Sequence, residues 1–350
     1  MRVLHVISSL EIGGAQRLLS DLLPLQKQQG LDVSLLVLRV EDTAFSKKVE
    51  NAGVPIISLD VKSFRNPFLA FTVRSIIKDY DVVHAHLVHS LYICSLAARG
   101  LKTKLVYTEH STSNNRRDKS YVRPIEKFIY GRYAKLISIS QQTQDALQNW
   151  LQSNDERFVV IYNGVDTKAF TSIHREVFAM SLIMVSRFAS SKDQETVIRA
   201  MQFVKKEATL RLVGDGENLE HCKQVAKECG VEDRVEFLGA RADVANLIAE
   251  SYIGIQSSKW EGFGLTAVEI MACGKPVIAT NVDGLKQVVE GAGELFTVGD
   301  VEALASIVNG ILYDKNRYEK MSNLSKDRAL RYDISKTAIK YIDTYKQILS

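Results

Sequence analysis

Short runs of apolar residues alternate with amphipathic segments along this chain of 350 residues. The first series of apolar runs lies at residues 3–7, 33–38, 54–59, 82–86, 105–107, 136–139 and 159–161. Runs rich in Val, Ile and Leu that are separated by helical patterns are typical of buried parallel strands. The first series therefore predicts a parallel sheet covered by helices.

The same alternation starts again after Phe170, with predicted strands at residues 182–185, 210–213, 235–238, 252–256 and 277–279. Because each series would form its own sheet, we predict an α/β protein of two Rossmann-like domains with a cleft between them. Residues 163–174 open with Asn-Gly and show no periodicity, which predicts the linker. After Asp300 the pattern predicts helices at 303–312, 318–330 and 334–349.

Candidate chemistry is concentrated at residues 258–276. An apolar strand at 253–255 leads into a turn with two glycines at 261–264, and a short helix at 265–273 is ended by Gly274 and Pro276. A strand, a glycine turn and a helix N-terminus direct backbone N–H groups and a partial positive charge at one point. Such an arrangement suits a phosphate.

Two carboxylates accompany this turn, with Glu261 just before it and Glu269 about one helical turn into the helix. Carboxylates repel a phosphate but accept hydrogen bonds from hydroxyl groups, so the pattern favours a nucleotide sugar. The alternative is that acidic residues lie near helix starts because the helix dipole favours them.

The spacing of Glu261 and Glu269 within Glu-Gly-Phe-Gly, followed by Met-Ala-x-Gly-x-Pro-Val, resembles the donor-site signature of retaining glycosyltransferases of family 4. The resemblance covers nearly the whole chain, and residues 163–166, Asn-Gly-Val-Asp, are similar to the hinge motif of the family. It implies the GT-B fold, with two Rossmann-like domains facing a central cleft and a final helix that crosses back to the first domain. We therefore expect an acceptor-binding domain at 1–168, a donor-binding domain at 169–332 and the crossing helix at 333–350.

Within the donor signature, the resemblance implies that Glu261 holds the hydroxyl groups of the donor sugar and that Glu269 holds the ribose. It also implies a diphosphate-binding turn and helix start, formed by Gly262, Phe263, Gly264, Leu265 and Thr266.

Other loops carry further candidates for donor binding. Gly13 and Gly14 follow the first strand and permit close approach of a ligand to the backbone. The pattern is not Gly-x-Gly-x-x-Gly, so it gives little support to a dinucleotide site; it resembles the family's loop toward the donor diphosphate, with an ordinary tight turn as the alternative. Gly214, in Val-Gly-Asp-Gly, and residues 237–239 resemble the nucleotide-side loops.

Two cations are candidates for the departing diphosphate. Arg187 follows the first strand of the second series, and Lys192 lies five residues later. Ligands of α/β sheets bind at this edge, and the family has an Arg and a Lys here; the alternative is that both are merely solvated. No Asp-x-Asp follows an apolar strand, so the sequence disfavours a metal-dependent transferase, and we expect no cofactor.

His110 follows the strand at 105–107 and is similar in placement to a histidine that the family holds near the donor sugar and the acceptor. A structural histidine is the alternative. His84, His86 and His89 suggest metal ligation, but no carboxylate or cysteine joins them at metal-site spacing, so we expect no bound metal and treat His86 as a possible cleft residue. The candidate catalytic residues are therefore Glu261, His110, Arg187 and Lys192.

The composition, 46% hydrophobic and 25% charged, is ordinary for a soluble globular protein, and the formal net charge is +4. Residues 99–135 hold ten basic residues against three acidic ones, which favours an anionic lipid or a polyanionic acceptor. No nucleic-acid motif accompanies them. We expect residues 111–123 to form an exposed loop and Ile125, Phe128 and Ile129 to form an apolar stripe, which could dock on a membrane or face the core.

The four cysteines show no paired spacing, so we expect free thiols in a reducing compartment. No apolar run approaches the roughly 18 residues of a membrane span. We therefore expect a cytoplasmic protein that touches the membrane peripherally at most.

These observations predict a metal-independent, retaining glycosyltransferase that uses a sugar nucleotide. The breadth of the family suggests a lipid-linked or saccharide acceptor in bacterial surface polysaccharide, such as capsule or lipopolysaccharide. One alternative is a sugar-nucleotide epimerase of the same architecture. Another is a non-catalytic nucleotide-sugar-binding subunit, against which the intact candidate residues argue.

Overall fold

The computed structural model of the protein describes residues 1–11, 13–39, 42–64, 66, 68–112 and 116–350. The chain forms two compact units: unit 1 comprises Met1–Gly164 and Ile334–Ser350, and unit 2 comprises Val165–Asp333. The first division lies four residues before the expected boundary at 168, and the second lies one residue after the expected boundary at 332.

Unit 1 contains a sheet of seven parallel strands in the order β3-β2-β1-β4-β5-β6-β7. The strands are β1 (Arg2–Ile7), β2 (Asp32–Val37), β3 (Ile56–Ser58), β4 (Val82–His86), β5 (Lys104–Glu109), β6 (Lys135–Ser138) and β7 (Phe158–Val160). Each apolar run of the first series lies on one of these strands, which confirms the predicted parallel sheet.

Unit 2 contains a parallel sheet of six strands in the order β10-β9-β8-β11-β12-β13. The strands are β8 (Ser181–Val185), β9 (Thr209–Val213), β10 (Val235–Phe237), β11 (Ile253–Gln256), β12 (Val277–Thr280) and β13 (Glu294–Phe296). The second apolar series predicts the first five of these strands and misses β13, at the edge of the sheet.

Helices connect the strands in both units. Unit 1 has α1 (Gly14–Gln28), α2 (Ala44–Asn51), α3 (Leu69–Ile77), α4 (Leu87–Ala97), α5 (Arg123–Tyr130), α6 (Gln141–Leu151) and α15 (Ile334–Leu349). Unit 2 has α7 (Thr167–Thr171), α8 (Gln194–Ala200), α9 (Leu219–Glu228), α10 (Val244–Glu250), α11 (Leu265–Ala272), α12 (Asp283–Val289), α13 (Val301–Tyr313) and α14 (Lys315–Ala329). Short 3₁₀ helices lie at Ser120–Val122, Glu232–Arg234 and Leu330–Tyr332.

The strand order reverses once in each sheet, between β1 and β4 in unit 1 and between β8 and β11 in unit 2. Loops after the carboxyl ends of the strands diverge at such a point and leave room for a ligand. The candidate cations and carboxylates of unit 2 follow β8 and β11, whereas in unit 1 His5 lies on β1, His84 and His86 lie on β4 and His110 follows β5.

The final helix α15 belongs to unit 1, as the fold-level prediction requires. Its residues Ile334, Ala338, Tyr341 and Tyr345 share one face at helical spacing, and all are buried. They join the cluster that α1 and β1 form with Leu18, Leu19, Leu22, Leu23, Val3 and Ile7. Packing of this apolar stripe therefore holds the end of the chain on unit 1.

Gly164 lies where the chain leaves unit 1 and packs tightly against the start of α15. A Cβ atom at this position would lie 2.5 Å from the Cα of Ile334 and 2.6 Å from Oγ1 of Thr337. Part of the predicted linker is helical, since α7 lies within it and begins directly after Asp166. The side chain of Asp166 caps this helix by accepting a hydrogen bond from the Ala169 N–H (3.0 Å).

Candidate functional site

The loops that follow β8 and β11 bring the candidate cations and carboxylates of unit 2 together. Arg187 lies two residues after β8 with an exposed side chain, whereas Lys192 is partly buried. Lys192 pairs with Ser258 in an isolated antiparallel bridge, and the Lys259 N–H donates to the Ser191 carbonyl over 2.8 Å. Backbone contacts therefore hold the Lys192 loop against the start of the donor signature.

Lys192 forms an ion pair with Glu261. Its Nζ also donates to Oγ of Ser258 over 3.2 Å. The two charged side chains are 16% and 22% exposed, so the pair is partly shielded from solvent while remaining within reach of a ligand. The structure thus brings Lys192, the candidate for binding the diphosphate, into contact with Glu261, the candidate for binding the sugar hydroxyl groups.

The glycine turn continues from Glu261 into α11. Gly264 adopts a left-handed conformation (φ 86°), and a Cβ there would lie 2.7 Å from Cδ2 of Leu285. Helix α11 begins at Leu265 and continues through Thr266, and no side chain of the described residues caps its N-terminus. The first backbone N–H groups of α11 are therefore left to other acceptors, as an anion site requires.

Two further residues of the signature are buried. Phe263 is 2% exposed and packs edge-on against the ring of Tyr332 at 5.3 Å between centroids. Glu269 lies in the second turn of α11 and is 4% exposed. Gly262 follows Glu261, whose side chain accepts a hydrogen bond from the Gly262 N–H (3.2 Å).

The loop after β9 contacts the loop after β8 through Gly214. This glycine has a φ of 138°, and a Cβ there would lie 2.0 Å from the carbonyl oxygen of Ser186. Its N–H donates to the carbonyl of Gly239 over 2.8 Å. Gly214 therefore permits a close approach of three loops beside Arg187.

Sequence reasoning missed two residues that position the backbone at Ser258 and Glu261. A Cβ at Gly284 would lie 2.3 Å from the Glu261 carbonyl oxygen, so only glycine fits there without movement. Thr280 Oγ1 accepts from the Ser258 N–H (2.9 Å), and its hydroxyl donates to the Ser258 carbonyl (2.8 Å). Both residues could have been found from their position, because Thr280 ends β12, the strand next to β11, and Gly284 follows it closely.

The paired glycines of unit 1 lie at the start of α1. Gly13 has an extended conformation and precedes the helix, which begins at Gly14. Ile12, in the same predicted turn, lies outside the described residues.

The histidines of unit 1 form a buried cluster at its topological switch point. His5 on β1 pairs in register with His84 on β4, and the ligand atoms of His5, His84 and His86 all lie within 4.8 Å of one another. His110 joins the cluster, with its Nε2 at hydrogen-bond distance (3.1 Å) from Nδ1 of His86. His89, which the sequence groups with His84 and His86, instead stacks on Phe64.

Burial decides the charge of this cluster. Loss of solvation lowers the pKa of His5 and of His110 to about 3. Burial and then the neighbouring histidines lower the pKa values of His84 and His86 well below 6.5. The imidazoles are therefore neutral near pH 7.

Neutral imidazoles are the form that binds transition metals, and three of them are close enough to share one ion. However, each ring nitrogen of His5, His84 and His86 has a hydrogen-bond partner within the described residues. Hydrogen bonds thus satisfy the cluster, and any ion would have to displace them.

The basic segment at 99–135 differs from the expected exposed loop. Arg116 pairs with the buried Glu126 (3.1 Å), and Arg117 pairs with Glu109 (2.7 Å), so these two cations are tied to unit 1 rather than free for a membrane. Burial raises the pKa of Glu109, and Arg117 opposes that shift. Ser113, Asn114 and Asn115 of the expected loop lie outside the described residues.

The apolar stripe of α5 is divided between core and surface. Ile129 is buried, whereas Ile125 and Phe128 are 59% and 65% exposed. Tyr121, just before the helix, is 73% exposed, and Lys119 and Lys127 are exposed as well. The surface at Lys119, Tyr121, Ile125, Lys127 and Phe128 is called the α5 face below.

Of the helices in the described part of the chain, none combines the length and the apolar composition needed to cross a membrane. The four cysteines, Cys94, Cys222, Cys229 and Cys273, are free thiols. Burial raises the pKa values of Cys94 and Cys273 to about 12, so these thiols are unreactive near pH 7.

Comparison with known proteins places two family models on consecutive parts of the chain. The model for "Glycosyltransferase Family 4" matches residues 12–169, and the model for "Glycosyl transferases group 1" matches residues 180–328.

Two curated relatives are similar over most of their length. The N-acetyl-alpha-D-glucosaminyl L-malate synthase of Bacillus anthracis is 28% identical over 78% of this chain and 76% of the relative. The N-acetylgalactosamine-N,N'-diacetylbacillosaminyl-diphospho-undecaprenol 4-alpha-N-acetylgalactosaminyltransferase of Campylobacter jejuni is 25% identical over 96% of this chain and 98% of the relative.

Among solved structures, HepE of Anabaena in complex with UDP and glucose has a similar fold. The TM-score is 0.86 at 24% identity, with 99% of this chain and 100% of that chain covered.

Proposed function

We propose that this chain, which belongs to the group 1 and family 4 glycosyltransferases, moves a sugar from a nucleoside-diphosphate sugar to an acceptor hydroxyl and retains the anomeric configuration. The bond between the anomeric carbon and the donor phosphate breaks as the bond to the acceptor oxygen forms. Negative charge then develops on the departing diphosphate, and catalysis consists largely of stabilising that charge.

The contact between Lys192 and Glu261 carries the proposal. A cation that can reach a phosphate lies beside a carboxylate that can accept hydrogen bonds from sugar hydroxyl groups. Since Lys192 engages the Glu261 carboxylate, we assign Glu261 to orientation of the sugar rather than to covalent attack. The acceptor hydroxyl would attack from the face that the diphosphate leaves, and the diphosphate would take its proton.

We propose that the reaction needs no metal ion. Lys192, the exposed Arg187 and the backbone N–H groups at the start of α11 supply positive charge on loops of the same sheet edge. These groups can do what a divalent cation does in other transferases, which is to neutralise the leaving group. Glu269 is assigned to the ribose.

We propose a lipid-linked saccharide as the acceptor. The name of the Campylobacter jejuni relative includes a diphospho-undecaprenol, which is a lipid carrier. The α5 face offers three exposed apolar side chains and two lysines, a combination that suits the surface of an anionic membrane. Synthesis of bacterial surface polysaccharide would follow from such an acceptor.

A screen of nucleotide sugars with and without lipid-linked acceptors tests the function. Release of nucleoside diphosphate that depends on acceptor, unchanged by a chelator, and a product with the anomeric configuration of the donor are expected. Donor isomerised without acceptor would indicate an epimerase, and binding without turnover would indicate a non-catalytic subunit. An inverted product or loss of activity with chelator would contradict the proposed mechanism.

A further inference from the structure

A chain of hydrogen bonds runs through the histidine cluster and ends at His110. Nε2 of His5 lies 3.0 Å from Oε1 of Gln26 on α1, and Nδ1 of His5 lies 3.0 Å from Nε2 of His86. Nδ1 of His86 then lies 3.1 Å from Nε2 of His110. Gln26, His5 and His86 are each 0% exposed, so water does not interrupt the chain.

Each neutral imidazole has one N–H donor and one acceptor nitrogen, so the protons along this chain depend on one another. An amide oxygen only accepts, which places the proton of His5 on Nε2 and leaves Nδ1 as an acceptor. His86 must then donate from Nε2 and accept at Nδ1, and His110 must donate from Nε2. Nδ1 of His110 is left unprotonated, and among the described residues it has no hydrogen-bond partner although the atom is buried.

We infer that Gln26, His5 and His86 are positioning residues that fix the tautomer of His110 and hold its Nδ1 as a hydrogen-bond acceptor. Among the four residues that these hydrogen bonds join, only His110 is a candidate catalytic residue. Its effect on catalysis rests on the proposed function, because a sugar hydroxyl is the donor that an acceptor nitrogen at this sheet edge would meet.

The neighbouring polar groups form a second branch, which meets the first at His5. The Tyr345 hydroxyl lies 2.6 Å from Nδ1 of His84 and 3.3 Å from Nε2 of His5. Nε2 of His84 lies 2.7 Å from Oγ1 of Thr108, which lies 3.2 Å from the Tyr341 hydroxyl. This branch joins α15 to the sheet, and the hydrogen bonds of His84 and Thr108 are not shared with His86 or His110.

The tautomer of His110 can be measured without substrate. Nitrogen-15 NMR of the full chain labelled at histidine distinguishes protonated from unprotonated ring nitrogens, and His110→Asn identifies the signals. We expect Nδ1 of His110 to be unprotonated in the wild type. In Gln26→Met, the Tyr345 hydroxyl can donate to His5, so both directions of the chain become accessible and Nδ1 of His110 becomes partly protonated.

One variant controls for damage to the buried cluster. Thr108→Val removes a polar group from the other branch and should perturb His84 while leaving His110 unchanged. A protonated Nδ1 of His110 in the wild type, or equal effects of Gln26→Met and Thr108→Val on His110, would overturn the inference.

The same variants give a readout in catalysis. Gln26→Met should lower kcat in proportion to the fraction of His110 that becomes protonated at Nδ1, with little change in the KM of the donor, because a tautomer change removes an interaction of the reacting groups. If the spectra are as expected but kcat is unchanged, the inferred hydrogen bonds are correct and the assumed role of His110 in catalysis is wrong. If the purified protein holds one metal ion per molecule and His5→Asn holds none, the cluster is a metal site and the inferred series of hydrogen bonds is wrong.

Discussion

At the scale of single residues, the contacts that matter most join positions far apart in the sequence. Lys192 and Glu261 are 69 residues apart and form an ion pair that no local pattern indicates. The sequence supplied the candidates Lys192 and Glu261 individually, and adjacency of β8 and β11 brings them into contact. It missed His5, because membership of the cluster depends on the register between β1 and β4.

Replacing Lys192 by Ala tests the role of this residue. The variant loses a cation that we assign to the charge developing on the diphosphate. We expect kcat/KM to fall by a factor that corresponds to a loss of about 2–4 kcal/mol in transition-state stabilisation. Steady-state rates of nucleoside diphosphate release measure the change. Lys259→Ala is the matched control, since Lys259 lies in the same loop with an exposed side chain. Similar rates for Lys192→Ala and Lys259→Ala would remove Lys192 from the site.

At the scale of elements, strands with apolar residues on both faces were predictable, because parallel sheets bury both faces. The strand β13 escaped because it has only three residues at the sheet edge, of which only Phe296 is buried. The stripe of α15 predicts an amphipathic helix but not its partner, since the spacing of Ile334, Ala338, Tyr341 and Tyr345 describes a face and not the surface it covers.

Gly164→Ala tests the contact that fixes the start of α15. The added Cβ would meet the Cα of Ile334, a backbone atom that can yield only if α15 moves, so we expect a loss of about 1–3 kcal/mol in the unfolding free energy. Urea unfolding measures it. The double variant Gly164→Ala/Thr337→Ala should recover only part of the loss, because it removes the contact with Oγ1 but not the one with Ile334. An unchanged free energy in the single variant would show that the contact is loose.

At the scale of the whole molecule, each unit has a sheet and a core of its own, and the two differ in what they bury. Unit 2 buries a conventional apolar cluster, whereas unit 1 also buries three histidines and two tyrosine hydroxyl groups. Composition and net charge do not reveal this difference, because seven histidines in 350 residues can be distributed in many ways.

The buried histidines should make the stability of unit 1 depend on pH. Their pKa values in the folded state lie below 6.5, so only the unfolded state gains protons as the pH falls through that value. The unfolding free energy is therefore greatest above pH 6.5 and should fall toward pH 4, by up to about 1.4 kcal/mol per pH unit for each histidine. The fluorescence of Trp150 in a Trp260→Phe background reports unit 1. His84→Gln should reduce the slope, and an equal slope in both proteins would contradict the assignment of neutral buried histidines.

The surface of the molecule supports one last prediction, on membrane binding through the α5 face. Since Arg116 and Arg117 are held in ion pairs, the exposed lysines Lys119 and Lys127 should carry the attraction to anionic lipid, at about 1 kcal/mol each. We expect flotation with anionic but not neutral vesicles and weaker binding at high salt.

Reversal of both lysines, in Lys119→Glu/Lys127→Glu, should weaken binding at least roughly tenfold. Phe128→Ser should weaken it as well, by removing an apolar side chain that is 65% exposed. Lys206→Glu/Lys227→Glu changes the net charge equally at exposed positions of unit 2 and is the matched control. If both double variants lose binding to the same extent, the attraction reflects net charge alone. If the wild type ignores anionic vesicles, the α5 face is not a docking surface, and a soluble saccharide acceptor becomes the better assignment.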